Sequence, residues 1–139
     1  MNFEEKTAAI TGAAAGLGKE IAMKMSQAGA KVAIMDVDWD KAQQTSHEIN
    51  SAGGKSIALK VDIRKEHEVT AGFEKIFAEF GRLDILVNNA GIFRTTTGFK
   101  DLQEDEWSNM LNINVHGMIR CCKSVIPHME KNLSGKIIN

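Results

Sequence analysis

The stretch that most constrains this chain is Thr11-Gly12-Ala13-Ala14-Ala15-Gly16-Leu17-Gly18, because it stands where a short apolar run, Thr7-Ala8-Ala9-Ile10, gives way to a helical pattern. A strand that passes through closely spaced glycines into a helix is where a nucleotide's phosphates bind. Gly12 takes the tight turn off the strand without a Cβ clash, Gly16 lets the backbone approach a pyrophosphate, and Gly18 lets the helix lie against the sheet. The helix that starts near Gly16 aims unpaired N–H groups and the positive end of its dipole at the anion. The pattern is G-x-x-x-G-x-G rather than the generic G-x-G-x-x-G, and a glycine-rich turn without a ligand is the alternative reading. Against that alternative stands Asp36, which closes the second apolar run about twenty residues past the loop. A carboxylate there can accept hydrogen bonds from both hydroxyls of an adenosine ribose; otherwise Asp36 is a solvated strand end.

Strands and helices alternate along the rest of the chain. Lys31-Val32-Ala33-Ile34-Met35, Ser56-Ile57-Ala58-Leu59, Asp84-Ile85-Leu86-Val87 and Lys136-Ile137-Ile138 are short apolar runs, as expected of parallel strands buried on both faces. Between them lie helical periods: Leu17, Ile21, Met25 and Ala28, then Trp39, Ala42, Ile49 and Ala52, ended by Gly29 and Gly53. Val69, Phe73, Ile76, Phe77 and Phe80 share one face of a third helix, and Gly81 stops it. A fourth is expected from Leu102 to Ile126, opening on Glu104-Asp105-Glu106 and closing near Pro127. This alternation requires right-handed βαβ crossovers and predicts an α/β, doubly wound parallel sheet of the Rossmann type. Residues 1–139 form one domain, with no linker to divide them.

Composition excludes several functions. With 17 basic and 18 acidic residues the charges nearly cancel, and no Lys/Arg cluster resembles a phosphate-backbone footprint, which excludes nucleic acid as a partner. The opening Met1-Asn2-Phe3-Glu4-Glu5-Lys6 carries acids where a signal peptide carries bases, and a strand follows it, so a cytoplasmic protein with no membrane partner is expected. Cys121 and Cys122 are adjacent in a helical stretch and point to different faces, which predicts free, half-buried thiols. His47, His67, His116 and His128 show no ligand spacing, so no metal site is expected. Trp39 and Trp107 read as packing residues, and Lys19 either touches a phosphate or is solvated.

Thr11-Gly12-x-x-x-Gly16-x-Gly18, followed after the fourth strand by Asn88-Asn89-Ala90-Gly91, resembles the short-chain dehydrogenase/reductase family. The resemblance runs the length of the chain and is closest in style to the 3-oxoacyl-carrier-protein reductases. It implies that Gly12, Ala14, Ala15, Gly16, Leu17 and Gly18 line a pyrophosphate and that Asp36 holds the adenosine ribose. It also implies that Asp62 and Ile63 flank the adenine, although Asp62 also fits a cap of the next helix. Asn89, Ala90 and Gly91 would pass close to the cofactor's ribose, with Asn88 tying neighbouring strands together. Ile113-Asn114-Val115-His116-Gly117 matches the segment bearing the family's helical catalytic asparagine, making Asn114 the candidate. Asn114 needs a buried partner, because an unpaired amide costs about 1–3 kcal/mol; packing two elements together is its alternative role. Asn112 is the lesser candidate.

The chain departs from the family in one respect. The family's reduction chemistry belongs to a serine after the fifth strand and a Tyr-x-x-x-Lys pair on the next helix, whereas this chain ends at Ile137-Ile138-Asn139 and contains no tyrosine. The resemblance therefore implies the cofactor-binding portion of an NAD(P)-dependent oxidoreductase acting on a small carbonyl or alcohol, truncated after the fifth strand. NAD is expected over NADP, because Asp36 meets the ribose while Ala14, Ala15 and Val37 stand where a base would meet a 2′-phosphate. The 139-residue chain alone is expected to be inactive, and its parent enzyme to be a homo-oligomer. The alternative function is a noncatalytic nucleotide-binding or regulatory module that associates with full-length subunits. Substrate-enclosing loops are expected after Asn139, with Phe93-Arg94-Thr95-Thr96-Thr97 forming at most one wall.

Overall fold

A computed structural model describes residues 2–93 and 98–139, so Arg94, Thr95, Thr96 and Thr97 of the expected wall lie outside the described residues. Five parallel strands form one sheet: β1 (Thr7–Thr11), β2 (Lys31–Asp36), β3 (Lys55–Lys60), β4 (Ile85–Val87) and β5 (Lys136–Ile138), in the order β3-β2-β1-β4-β5. Helices α1 (Gly16–Gln27), α2 (Trp39–Ser51) and α3 (Glu66–Phe80) connect the first four strands. Strand order reverses between β1 and β4, and this switch point opens a crevice at the carboxyl ends of the strands.

Alternation along the strands feeds two cores. Ala8, Ile10, Val32 and Ile34 point to the layer holding Ala22 and Met25 of α1 and Ile49 of α2. Ala9, Ala33, Met35 and Leu86 point to the layer holding Val69, Phe73 and Ile76 of α3. Every residue of β1 is buried, as its place in the middle of the sheet requires. Ala8 and Ala9 are small, which lets helices approach the sheet on both faces. At the opposite end of the strands, the buried Asp84 accepts from the Thr7 N–H at 3.0 Å and pairs with Arg82 and, at 3.5 Å, with Lys6. That cluster fixes β1 beside β4.

Helix α3 meets expectation: Gly81 takes the left-handed conformation at φ 75° and its N–H donates to the Phe77 carbonyl at 2.8 Å. Elsewhere the helical faces differ. Leu17 is 71% exposed, and Gly18, Ala22 and Met25 form the buried face of α1. In α2, Trp39 is exposed, as is Ala52 just past its end, while Thr45 and Ser46 are buried, because those hydroxyls find partners at Ala14 and Ser56.

The expected fourth helix is three segments: α4 (Glu104–Leu111), a π-helical segment (Asn112–Gly117) and α5 (Met118–Lys131). Pro127 lies inside α5 rather than at its end. An interior proline costs about 3 kcal/mol, but Cys121, Val125 and Met129 are buried on one face of α5, and this packing carries the helix through. Cys121 is fully buried and Cys122 half-buried, and both thiols are free. No helix among the described residues is long and apolar enough to cross a membrane.

Candidate nucleotide cleft

Three glycines of the β1–α1 turn do two different jobs. A Cβ on Gly12 would stand 2.8 Å from the Ala90 Cα, and one on Gly18 would overlap the Gly12 carbonyl oxygen. These two let backbones touch. Gly16, at φ 55°, faces space with no atom within 4 Å. Helix α1 starts here with Ala15 as its N-cap, without a side-chain cap and without an acid in its first turn. Its first N–H groups therefore have no side-chain cap among the described residues, a donor set suited to a pyrophosphate.

Asp36 ends β2 beside this turn. Its Oδ2 accepts the Ala14 N–H at 3.0 Å and its Oδ1 accepts the Asp38 N–H at 3.0 Å. A carboxylate oxygen has two acceptor sites, so one remains on each oxygen. The same bond commits the Ala14 N–H to Asp36. The buried Thr45 hydroxyl, which sequence reasoning missed, donates to the Ala14 carbonyl at 3.0 Å and holds the turn from α2.

The ends of β1 and β4 are sewn together. Asn89 Nδ2 donates to the Thr11 and Gly12 carbonyls at 3.0 Å each, and the Thr11 hydroxyl accepts the Ala90 N–H at 3.0 Å. Asn88 ties strands as expected: its N–H donates to the Ile138 carbonyl at 2.8 Å and its Nδ2 to Asn139 Oδ1 at 2.8 Å. Ala90 and Gly91 line the cleft.

Asn114 sits on the π-helical segment and clamps the Ile92 backbone from both sides: its Oδ1 accepts the Ile92 N–H and its Nδ2 donates to the Ile92 carbonyl, each at 2.9 Å. The expected burial is not found, for Asn114 is exposed; its partner is a loop backbone. One N–H and one acceptor site remain on its amide. Asn112 faces the other way, accepting from Arg120 Nη1 at 3.0 Å, and the same nitrogen donates to the Ile63 carbonyl at 3.3 Å. A π-turn inserts an extra residue into the helix, a device common at functional sites.

Asp62 follows β3. Its carboxylate accepts from the Arg64 N–H and guanidinium, and these bonds hold it below the usual carboxylate range despite burial. It does not cap α3, whose N-cap is Lys65; it closes a turn onto Arg64 instead. Lys19 reaches across to Glu48 at 2.7 Å rather than toward a phosphate. Among the described residues no group of His, Cys, Asp or Glu could hold a metal ion.

Between the strand ends lies a cleft of about 440 Å³, lined among others by Gly12, Asp36, Asp62, Ile63, Asn89 and Ile113. It brings Gly12, Asp36, Asp62, Ile63, Asn89, Ala90 and Gly91 onto one surface, with Ala15, Gly16 and Leu17 exposed at the neighbouring turn and Asn114 behind Gly91 and Ile92.

The profile of the family described as short chain dehydrogenase matches residues 6–139. A (2S)-((R)-hydroxy(phenyl)methyl)succinyl-CoA dehydrogenase subunit of Thauera aromatica is 35% identical over 139 residues, covering 100% of this chain and 56% of that protein. A 3-oxoacyl-(acyl-carrier-protein) reductase of Staphylococcus epidermidis is 35% identical over 135 residues, covering 96% of this chain and 55% of its own length. Among solved structures, a 3-ketoacyl-(acyl-carrier-protein) reductase from Brucella melitensis complexed with NADH matches with a TM-score of 0.89 at 37% identity, covering 94% of this chain and 53% of that one. An NAD+-bound xylitol dehydrogenase matches with a TM-score of 0.94 at 25% identity, over 99% of this chain and 53% of its own. The chain spans about half the length of the curated relatives it matches.

Proposed function

We propose a nucleotide-binding function on a plain premise: this chain belongs to the short chain dehydrogenase family. The domain formed by residues 1–139 binds a nicotinamide adenine dinucleotide and is the cofactor-binding portion of an oxidoreductase acting on a small carbonyl or alcohol. When bound, the nicotinamide supplies the hydride acceptor or donor. The residues of this chain bind and orient it. Gly12, Ala15, Gly16 and Leu17 lie against the pyrophosphate, with Gly18 seating α1 on the turn and Ala14 holding Asp36 in place. Asp36 accepts both adenosine ribose hydroxyls, Asp62 and Ile63 flank the adenine, and Asn89, Ala90 and Gly91 border the second ribose. Asn114, with one donor and one acceptor left after its clamp on Ile92, holds a water for proton transfer.

The observation that carries the reading is Asp36, whose two oxygens each keep one acceptor site at the end of β2, beside the open space at Gly16. Two free acceptors match the two hydroxyls of a ribose. The same charge opposes a 2′-phosphate, and the neighbouring Val37 offers no base to offset it, so NAD(H) is preferred over NADP(H). A charge-assisted hydrogen bond contributes about 1.5–3 kcal/mol, which sets the preference at about tenfold to a hundredfold. Titrating NADH and NADPH against the chain and an Asp36→Asn variant tests it: the variant should bring the two affinities together. Equal or tighter NADPH binding by the unmodified chain would overturn the assignment.

No tyrosine is present to serve as the family's acid/base group. The 139-residue chain should therefore show no turnover with ketones or 3-oxoacyl thioesters, and steady NADH oxidation by pure chain would contradict this. A second reading, a noncatalytic module that associates with full-length subunits, is favoured by Trp107, Leu111, Val115 and Ile119, exposed apolar residues at steps of four along α4 and its continuation. The same stripe suits a homo-oligomer of a cytoplasmic parent enzyme.

A further inference from the structure

The π-helical segment Asn112–Gly117 is tied to both walls of the cleft. On one side Asn114 clamps the Ile92 backbone. On the other, Arg120 at the start of α5 donates from Nη1 to the Ile63 carbonyl at 3.3 Å, to Asn112 Oδ1 at 3.0 Å and to the Asn112 carbonyl at 3.4 Å. Ile63 and Ile92 line the cleft, and Arg120 stands behind Ile63. The two hydrogens of Nη1 are shared among three oxygens, all of them neutral, so the guanidinium serves here as a tie and not as half of an ion pair. Among the described residues the Ile63 carbonyl accepts from Arg120 and from no backbone N–H.

Bonds inside the turn after β3 set its shape but not its distance from that segment. The Asp62 N–H donates to Glu68 Oε2 at 2.8 Å, the Arg64 N–H to Asp62 Oδ1 at 3.0 Å and the Lys65 N–H to the Asp62 carbonyl at 2.9 Å, all within the turn and α3. Among the described residues two side-chain bonds cross from this turn to the opposite wall: the exposed one from Arg64 Nη1 to Asn109 Oδ1 at 3.4 Å, and the part-buried one from Arg120. Packing beside the second is close. A Cβ on the buried Gly117 would stand 2.5 Å from Ile63 Cδ1 and 2.7 Å from its Cγ1. Ile63 is thus seated on Gly117 by its side chain and held to Arg120 by its carbonyl.

We propose that Arg120 is a positioning residue for the bound dinucleotide: anchored on the Asn112 oxygens, it fixes the Ile63 carbonyl and with it the wall against which the adenine rests. This deepens the nucleotide-binding reading above and rests on it. Without the tie the turn keeps its internal bonds but loses its fixed distance from the π-helical segment, so that binding must order it, at a cost in affinity. Arginine suits the place, since its planar fork of donors reaches separated oxygens in a fixed geometry, as a compact ammonium does not.

The test compares the unmodified chain with Arg120→Met, which keeps an apolar stem and removes the donors, with Arg120→Lys, and with Gly117→Ala, which drives a methyl group into Ile63 and leaves Arg120 in place. Circular dichroism melts report that each is folded. Before any ligand is added, hydrogen exchange at the Arg64 and Lys65 amides should quicken at least about threefold in Arg120→Met, with the Ile92 amide unmoved. NAD affinity should fall about tenfold in Arg120→Met and in Gly117→Ala, and about threefold in Arg120→Lys. The ethenoadenine analogue of NAD, at saturation, should show lower fluorescence anisotropy on Arg120→Met and Gly117→Ala than on the unmodified chain, because its base is held less firmly. Affinity and anisotropy unmoved by Arg120→Met, or a lysine variant no better than the methionine one, would overturn the proposal. If Arg120→Met does not fold, Arg120→Lys and Gly117→Ala carry the same readings, and no loss in either overturns it. Failure of the unmodified chain to bind NAD would instead refute the nucleotide-binding reading, and the proposal with it.

Discussion

Replacing Gly18 and Gly16 by alanine, one at a time, separates fold from binding within a single turn. In Gly18→Ala the new Cβ overlaps the Gly12 carbonyl oxygen and crowds the Asn89 amide nitrogen. Relieving that contact means moving α1 off the sheet or opening the turn, at the expense of the two Asn89 bonds to Thr11 and Gly12. Each bond is worth about 0.5–1.5 kcal/mol, and overpacking adds about 1–3 kcal/mol of strain. The better helix propensity of alanine returns about 1 kcal/mol, leaving a net loss of about 3 kcal/mol. For a domain of this size that lowers Tm by about 10 °C. Gly16→Ala meets no atom within 4 Å and costs only its left-handed backbone, at φ 55°, about 1–2 kcal/mol. Its methyl group stands where the pyrophosphate approaches, so NADH affinity should fall at least about tenfold. Thermal melts followed by circular dichroism, paired with NADH titrations, read both effects. A Gly18→Ala melt within about 2 °C of the unmodified chain, or undiminished NADH binding by Gly16→Ala, would refute this division of labour.

Acid stability should depend on Asp84. Burial pushes its carboxyl up, but the Arg82 guanidinium, the Thr7 N–H and Lys6 outweigh this and hold it below the usual range. A depressed folded-state value contributes stability above the unfolded value near pH 4, and that stability is lost as pH falls through the folded value. Urea unfolding should therefore weaken steeply below about pH 4, and Asp84→Asn should flatten that limb while lowering stability at neutral pH; an unchanged slope would contradict it. Burial, with Cys122 alongside, pushes the Cys121 thiol up to about 12, so iodoacetamide on the folded protein should modify Cys122 and spare Cys121. Equal labelling of the two by peptide mass spectrometry would show that Cys121 is not sealed in the core.

The parts of the fold legible in the sequence are those set by local chemistry. Short apolar runs between glycine stops gave five strands in the expected places, and Gly12, Gly16 and Gly18 marked the turn that the structure forms at the switch point. What escaped depends on distant partners. Arg64 meets Asn109 45 residues on, and Asn114 meets Ile92 22 residues back; neither pair has a signature in periodicity. The π-helical segment escaped because a fourth helix read at constant period hides an inserted residue, and Pro127 misled because Met129 is buried beyond it. Leu17 fits the apolar period of α1 yet is exposed, since Gly18 and Ala22 face the sheet. Thr45 offered one available signal: a hydroxyl on the buried side of α2 needs an acceptor, which it finds at Ala14.

Amide chemical-shift mapping with NAD added to the isotope-labelled chain tests the central claim most directly. The account predicts the largest shifts in the turn from Gly12 to Gly18, at Asp36, at Ile63 and at Ala90 and Gly91, with α5 near Lys131 and the Asp84 end of the sheet unmoved. No shifts at millimolar NAD, or shifts gathered at those far ends instead, would contradict it.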